Sequence, residues 1–410
     1  MTIPLINEVT TIFLNIDAHL TRNFLIISQG ILNTKSTNLN KVKDSLPNIL
    51  DNQNTTLPES NYKRLTRFFN IEDSEKKKLL EAILCLSFFL LNIKVNRIKY
   101  LALDGTSWEN GTKKIHLITL SIVFKGISIP IWWEELDKKG TSNFKERKNL
   151  FNTACHLYNL KGMILLADRE YIGEKWFKYL THKGILFVIR VKKNTYRSYV
   201  DNQIQGKTAL FKHQCYRYSN MQKEVYKKRY SNCGVSKQIE ILEEKYSFVI
   251  FKNPKTSAEE PLIYFISTLQ KKKQIVKAYP IRWSIETCFK HLKSNGFNLE
   301  DLNFKNSEKI KLMMAIVVFL YAICIKEGFF QYKQKKKSDW KIYADGSISL
   351  SVSVFRKGLS FIVPIICLIN LSIQSSLKYL YFFTHFTLFI CKTLHTKLCK
   401  YTSFINYFWT

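Results

Sequence analysis

Four polar side chains recur at helical intervals within residues 279–293. Glu286 follows Arg282 by one helical turn and precedes Lys293 by two, so on an α-helix the three would share one stripe, with Tyr279 a turn earlier. A carboxylate in such a stripe can hold a divalent metal ion, and neighbouring cations can bind phosphate groups. The stripe therefore suggests phosphodiester chemistry. The simpler alternative is a solvated helix face on which Arg282 and Glu286 pair at i, i+4.

Two aspartates upstream each follow a short apolar run. Asp104 ends the run that begins at Leu101, and Asp168 ends the run that begins at Met163. Each run predicts a buried strand that delivers its aspartate to the carboxyl edge of a sheet, where the sites of sheets with flanking helices usually lie. An acid after a strand is also a common turn former. Together with Glu286, two such acids favour a shared site.

The motifs resemble those of the DDE transposases of bacterial insertion sequences, in insertion sequence family four. The family signature Y-x2-R-x3-E-x6-K is matched at every spacing by Tyr279, Arg282, Glu286 and Lys293. The segments around Asp104 and Asp168 resemble the regions of the family's first and second aspartates, and residues 184–194 are also typical of the group. From about residue 61 to about residue 328 the motifs fall in the family's order.

The resemblance implies an α/β fold with an RNase H-like catalytic core and a mixed central sheet. In that core Asp104, Asp168 and Glu286 would form a metal-binding triad, with Asp104 bridging two ions. The family's DNA contacts near the scissile bond would be made by Tyr279, Arg282 and Lys293. Two Mg²⁺ ions about 3.5 to 4 Å apart can activate a water or a 3′-hydroxyl and stabilise the departing oxygen. Carboxylate ligands favour Mg²⁺, with Mn²⁺ as a substitute, over zinc.

The spacing of the three acids predicts the domain organisation. The interval between Asp168 and Glu286 is much longer than one strand and one helix require, and it is rich in strand-forming residues. The expected order is a helical N-terminal DNA-binding region at 1–96, the first part of the catalytic core at 97–193, a β-rich insertion at 194–268, the second part of the core at 269–330, and a helical C-terminal region with a role in dimerisation at 331–410.

The N-terminal region contains a cationic stretch beside aromatic residues, with Arg64 and Arg67 as its candidate DNA contacts. An amphipathic helix that caps the core fits the same pattern equally well. The preceding residues 36–60 are polar and rich in Asn, Thr and Pro, which predicts a connection between helices.

The charge balance indicates a nucleic-acid partner. Lys and Arg number 63 against 32 acids, which leaves a net charge of +31. Such an excess is typical of proteins that bind phosphate backbones. The expected partners are the terminal inverted repeats of an element and its target DNA. Because one active site must meet each end of an element, a homodimer on DNA is expected.

A cytoplasmic location without a membrane role is expected from the apolar segments and the N-terminus. Residues 1–20 contain Glu8 and Asp17 and lack the basic start and small-residue cleavage site of a signal peptide. The apolar segments at 310–325, 361–370 and 379–391 are each too short for a comfortable membrane span, so packed helices are predicted.

Two other functions are weighed against transposition. One is a catalytically silent, DNA-binding relic of a transposase, which the retention of all three acids disfavours. The other is a phosphatase of the haloacid dehalogenase type, because Asp104-Gly-Thr resembles the end of its D-x-D-G-T motif. That motif requires an acid where this chain has Ala102, so its nucleophile is absent.

Overall fold

The computed structural model describes eleven stretches of the chain, namely residues 15–50, 57–94, 97–111, 113–136, 138, 140–192, 234–252, 262–333, 339–343, 346 and 348–368. The chain divides into two compact units. Of the described residues, those from Lys94 to Phe289 form the sheet unit, and those up to Ile93 and from Lys290 onward form the helical unit.

A mixed sheet of eight strands organises the sheet unit, and it confirms the predicted mixed α/β class. The strands are β1 (Tyr100–Asn110), β2 (Lys113–Phe124), β3 (Ile127–Glu135), β4 (Ile164–Ala167), β5 (Leu186–Val191), β6 (Gly234–Ile241), β7 (Glu244–Lys252) and β8 (Leu262–Ser267). Their order is β3-β2-β1-β4-β5-β8-β7-β6. Strands β1, β4 and β5 run parallel to one another, and the other neighbours are antiparallel.

Helices cover both faces of this sheet. They are α5 (Phe144–Leu157), α6 (Glu174–His182), α7 (Lys272–Ala278) and α8 (Trp283–Leu292), with a 3-10 turn, Tyr279–Arg282, between the last two. One face buries apolar side chains of α7 and α8, such as Ile275 and Ile285, against the sheet. On the opposite face Phe177 of α6 stacks on Phe187 of β5. Side chains alternate along each strand, so both faces bury apolar residues.

Strand β1 is longer than the sequence predicted. The expected end of the strand at Asp104 is wrong, because Gly105–Asn110 continue the strand and pair with Lys113–Ile118 of β2. The hairpin to β2 supplies backbone hydrogen bonds for these residues, and those bonds override the local turn signal of Gly105.

The described part of the predicted insertion at 194–268 consists of β6, β7 and β8. Strand β8 pairs with β5, and β7 and β6 follow it outward, so the three strands widen the central sheet. The remaining residues of this segment, 194–233 and 253–261, lie outside the described residues.

The described elements of the helical unit come from both ends of the chain. Its first four helices, α1 to α4 in chain order, are Ala18–Thr34, Leu39–Leu50, Pro58–Phe69 and Asp73–Leu91. After the boundary within α8 follow α9 (Ser307–Tyr332), a hairpin of β9 (Trp340–Ile342) and β10 (Ile348–Leu350), and α10 (Val354–Leu368). Helix α9 packs against α4 and α10, and most of its side chains are buried.

Helix α2 corrects the prediction of a connecting segment at 36–60. Its apolar residues Leu39, Val42, Leu46 and Ile49 recur every three or four positions and are buried. That spacing gives a helix one apolar face in spite of the polar composition. The side-chain hydroxyl of Thr37 donates to the carbonyl of Asn298 at 3.0 Å and fixes the start of this helix.

The predicted domain order at 1–96, 97–193, 194–268, 269–330 and 331–410 stays a prediction. The boundary between the two units falls at Phe289 and Lys290, inside the segment predicted as the second part of the core. Within the segment predicted as a helical C-terminal region, the described residues form a hairpin and one helix, and residues 369–410 lie outside the described part.

Helix α9 is the one described helix whose length and composition would allow it to cross a membrane. Of its most apolar stretch, 89% is buried inside the protein. The core helix of a soluble protein passes the same test, so this helix is weak evidence for a membrane span.

Candidate active site

Asp104 and Asp168 lie on neighbouring parallel strands. Leu103 of β1 is paired with Ala167 of β4, so each aspartate is the next residue in register. Two positions earlier, Ala102 and Leu166 belong to the clusters that pack beneath α8 and α7. Because side chains two apart share a face, both aspartates lie on the face that these helices cover.

The guanidinium of Arg282 joins two of the three acids. Its Nη1 donates to Oδ2 of Asp104 at 2.9 Å, and its Nη2 donates to Oε1 of Glu286 at 2.5 Å. Arg282 is only 8% exposed, so the two ion pairs are largely shielded from water. Residues remote in the sequence therefore converge on one buried cation, while a metal site shared by the three acids stays a prediction.

Tyr279 links the third acid to this group. Its hydroxyl donates to Oδ1 of Asp168 at 3.2 Å, and the guanidinium of Arg282 lies 5.8 Å from the centre of its ring. The ring of Phe265 packs against the ring of Tyr279 at a centroid distance of 4.7 Å. The chain thus holds Asp168 beside the pair formed by Asp104 and Glu286.

The pKa of Asp104 is raised to about 6. Burial is the main cause, and the negative charges of Glu286 and Asp168 add to it, while Arg282 and the backbone N–H of Gly105 lower the pKa. Carboxylates that gather in a partly buried place form an anionic pocket, and such a pocket attracts cations.

The pKa of Arg282 is raised although burial by itself would lower it, because Tyr279 and the three acids favour the charged form. The pKa of Tyr279 is also raised, first by burial and then by Asp168, so its hydroxyl keeps its proton and can donate. The group therefore has a permanent cation amid three acids.

The donor set suits a hard divalent ion. Three carboxylates, one within β1, one in the loop after β4 and one on α8, offer the oxygen ligands that Mg²⁺ and Mn²⁺ prefer. In the present arrangement, however, the described residues contain no group of three or more His, Cys, Asp and Glu side chains that could hold a metal ion as it stands. Arg282 supplies the compensating positive charge instead.

The predicted single helical stripe at 279–293 is only partly correct. Tyr279 and Arg282 lie in the 3-10 turn before α8, where Pro280 lacks the N–H that a continuous α-helix would use. Lys293 follows the end of α8, and its Nζ lies 3.1 Å from Oε1 of Glu300. The i, i+4 pair of Arg282 and Glu286 does form, but it is largely buried and shared with Asp104.

The predicted DNA contacts of the N-terminal region lie on α3. Arg67 is exposed and Arg64 is half-buried, while the apolar residues Leu65, Phe68 and Phe69 are buried. Nearby, Nζ of Lys43 lies 5.9 Å from the ring of Tyr62. Helix α3 packs by one face and presents cations on another, so it is compatible both with DNA binding and with a helix that caps the core. Its DNA contacts stay a prediction.

Sequence reasoning missed two residues that border the site. Arg190 of β5 is close enough to lower the pKa of Tyr279, and Tyr171 is close enough for Asp104 to raise the pKa of its hydroxyl. A charged residue in the apolar run 185–191 was a signal for Arg190, because a partly buried charge requires a partner. Tyr171 gave no comparable signal.

Comparison with known proteins gives one family match. The family model described as the transposase DDE domain matches residues 98–323, a span that includes all three acids. Among solved structures, the piggyBac transposase synaptic complex with hairpin DNA is 10% identical over 88% of this chain and 74% of that chain, with a TM-score of 0.35. No curated protein matches the sequence.

Proposed function

Because this chain belongs to the DDE-domain transposase family, we propose that it is the transposase of an insertion sequence of family four. It would cleave DNA at the ends of its element and join the freed ends to target DNA. The match of Tyr279, Arg282, Glu286 and Lys293 to the family-four signature supports the narrower assignment.

One observation carries this proposal, the convergence of Asp104, Asp168 and Glu286 around Arg282 and Tyr279. Arg–carboxylate pairs are common on protein surfaces, but three acids from separate elements around one buried guanidinium are not explained by surface pairing. Burying charges costs free energy, and functional sites are where such costs recur.

The three acids would hold Mg²⁺, and Mn²⁺ could replace it, with Asp104 as the ligand shared between two ions. When bound, such ions lower the pKa of an attacking water or 3′-hydroxyl and stabilise the departing oxygen of the phosphodiester. Tyr279 keeps Asp168 oriented through its hydrogen bond to Oδ1. The backbone N–H of Gly105 orients Asp104 at 2.9 Å in the same way.

Arg282 would have two roles in this scheme. Without bound ions its guanidinium offsets the charge of Asp104 and Glu286. A guanidinium can also bind a phosphate in a bidentate manner, so the same group could hold the DNA strand next to the scissile bond. Lys293 and Tyr279 are the further phosphate contacts that the family resemblance implies.

DNA is the proposed partner, with Arg64 and Arg67 among its contacts. A net charge of +31 supplies the long-range attraction to phosphates. A homodimer would place one catalytic group at each end of the element, and a cytoplasmic location would give it access to bacterial DNA.

The test uses the purified chain, Mg²⁺ and the DNA that flanks its coding region. Wild type should release fragments with defined ends, whereas Asp104→Asn, Asp168→Asn and Glu286→Gln should retain DNA binding and lose cleavage. Glu109→Gln is the matched control, because Glu109 is an exposed acid on the same strand as Asp104. Cleavage that persists in one of the three variants would remove that residue from the triad.

The alternative is a catalytically silent, DNA-binding relic of a transposase. In the ion-free arrangement Arg282 is bonded to two of the three acids, which is the feature that keeps this alternative open. If the wild-type protein binds end DNA but does not cleave it with either Mg²⁺ or Mn²⁺, the chain is such a catalytically silent relic.

A further inference from the structure

The two aspartates of the candidate site differ in local structure, because one lies in a strand and the other in a loop. Asp104 lies within β1, whereas Asp168 is the first residue of the loop after β4. We propose that Tyr171 is a positioning residue, which packs on the backbone of β1 at Gly105 and holds that loop at a fixed distance from the strand. The proposal rests on the proposed function of the two aspartates.

The loop after Asp168 is tied down by buried hydrogen bonds. The backbone N–H of Tyr171 donates to the carbonyl of Asp168 at 3.0 Å, which closes a turn. The buried guanidinium of Arg147 lies 5.6 Å from the ring of Trp176. Its nitrogens donate to three backbone carbonyls, at 3.1 to 3.2 Å, those of Ser142, Asn143 and Ile172. Arg147 therefore joins Ile172, the residue after Tyr171, to the backbone that precedes α5.

Tyr171 and His116 meet β1 at Gly105. A Cβ atom on residue 105 would lie 2.7 Å from Nε2 of His116 and 3.4 Å from the hydroxyl oxygen of Tyr171. The first distance is shorter than real Cβ contacts. Glycine is thus the residue that lets His116 approach the strand this closely, whereas the hydroxyl of Tyr171 would make an ordinary van der Waals contact with a Cβ there. The pairing of β1 with β4 ends just before Gly105, at Leu103 and Ala167.

Backbone hydrogen bonds connect both sides of this contact, the strand at Gly105 and the loop at Tyr171, to the carboxylates of the two aspartates. The N–H of Gly105 donates to Oδ1 of Asp104 at 2.9 Å, so a displaced Gly105 would displace that carboxylate. The N–H of Arg169 donates to Oδ1 of Asp168 at 2.7 Å within the loop that Tyr171 anchors. Tyr171 is 3% exposed, so it is available as a fixed spacer rather than as a group that meets substrate.

The test compares wild type with Gly105→Ala, His116→Ala and the double variant in the full chain. The readouts are Mn²⁺ affinity without DNA, kcat and KM for cleavage of end DNA, and the urea unfolding midpoint. Gly105→Ala should weaken Mn²⁺ binding by about tenfold to a hundredfold, as changes behind metal ligands do, and lower kcat while KM for DNA holds. In the double variant the shorter side chain makes room for the new methyl group, so most of both losses should be recovered.

His156→Ala is the control, because His156 is an exposed histidine on α5. The positioning role would be overturned if Gly105→Ala kept the Mn²⁺ affinity and the kcat of wild type. It would also be overturned if the double variant recovered neither the Mn²⁺ affinity nor the kcat lost in Gly105→Ala. If Gly105→Ala does not fold, Tyr171→Phe and Tyr171→Leu provide the test. Mn²⁺ affinity should fall slightly in Tyr171→Phe, which lacks the hydroxyl, and strongly in Tyr171→Leu, which lacks the ring. Equal Mn²⁺ affinities in these two variants would refute the proposal. Wild type that neither binds Mn²⁺ nor cleaves DNA would overturn the proposed function and this inference with it.

Discussion

At the scale of single residues, Arg282 decides the electrostatics of the candidate site. It forms ion pairs with Asp104 and Glu286. It also lies over the ring of Tyr279, whose hydroxyl donates a hydrogen bond to Asp168. Removing one partner of a buried ion pair leaves the other charge uncompensated, which is costly. The acids of this site are therefore tolerable in the ion-free protein because the cation is present.

We predict that Arg282→Gln destabilises the ion-free protein by roughly 3 kcal/mol at pH 8 and by less at pH 5. A raised pKa in the folded state means that the stability contributed by protonated Asp104 is complete below its unfolded pKa and is lost as pH rises through about 6. Urea unfolding at both pH values measures the difference.

Arg67→Gln is the control for this prediction, because Arg67 is exposed on α3 and a surface change usually stays within about 0.5 kcal/mol. A loss in Arg282→Gln that is equal at pH 5 and pH 8 would show that Arg282 acts by packing and not by charge.

At the scale of elements, the helical unit depends on a close approach of α9 and α10. A Cβ on Gly358 would lie 1.8 Å from the carbonyl oxygen of Cys324, and a Cβ on Gly328 would lie 1.9 Å from that of Val354. These neighbours are backbone atoms and cannot turn aside as a side chain could. The end of α8 packs here as well, since His291 stacks on Phe355 at 4.5 Å.

Gly358→Ala should destabilise the helical unit by about 3 kcal/mol or more, because the two helices must separate to admit a methyl group. Ser360→Ala in the same helix is the control, since Ser360 is exposed and should change stability little. Urea unfolding followed by circular dichroism measures both. Equal stability of the two variants would contradict the close approach.

His291 makes the same unit sensitive to pH. Burial lowers its pKa to about 4, and Arg356 adds to the shift. A depressed histidine pKa means that the unfolded chain takes up a proton near pH 6.5 while the folded chain does not, so the free energy of unfolding should fall from pH 6.5 to pH 4, by roughly 3 kcal/mol at most.

His291→Phe should keep the stacking on Phe355 and flatten this pH dependence. His182→Gln is the comparison, because His182 is largely exposed on α6. Unfolding free energies measured between pH 4 and pH 7 test the prediction, and an unchanged slope in His291→Phe would assign the pH dependence to other groups.

At the scale of the whole molecule, charge sets the affinity for DNA. With 63 basic residues against 32 acids, the chain should bind DNA of any sequence and lose affinity steeply as salt rises. Specific recognition of an element's ends would add to this general attraction.

The double variant Lys63→Gln, Arg67→Gln should make the slope of log K against log salt shallower by roughly 1 for each lost phosphate contact. Fluorescence anisotropy with end DNA at several salt concentrations measures the slope. Ser60→Ala on the same helix should leave it unchanged. A slope that is equal in all three proteins would favour the reading of α3 as a core cap.

The sequence by itself determined the candidate site residues and the mixed α/β class of the fold. Apolar runs before Asp104 and Asp168 predicted buried strands, and the spacing from Tyr279 to Lys293 predicted a helical segment, because strand and helix periods are local properties of the chain. What no local pattern could decide was where β1 ends or that Lys293 lies past the end of α8. The helix within residues 36–60 did have a local signal, the apolar spacing of α2, which its polar composition obscured.

Only the tertiary structure decided the partners of Asp104 and Asp168. Arg282 and Asp104 are remote in sequence, and their contact depends on the 3-10 turn before α8, which lies against β4 where β4 pairs with β1. The same holds for Gly105, whose neighbours His116 and Tyr171 arrive from another strand and a loop. Hydrogen bonding and burial act between whatever surfaces the fold brings together, so these contacts follow from the packing of elements and not from the order of residues.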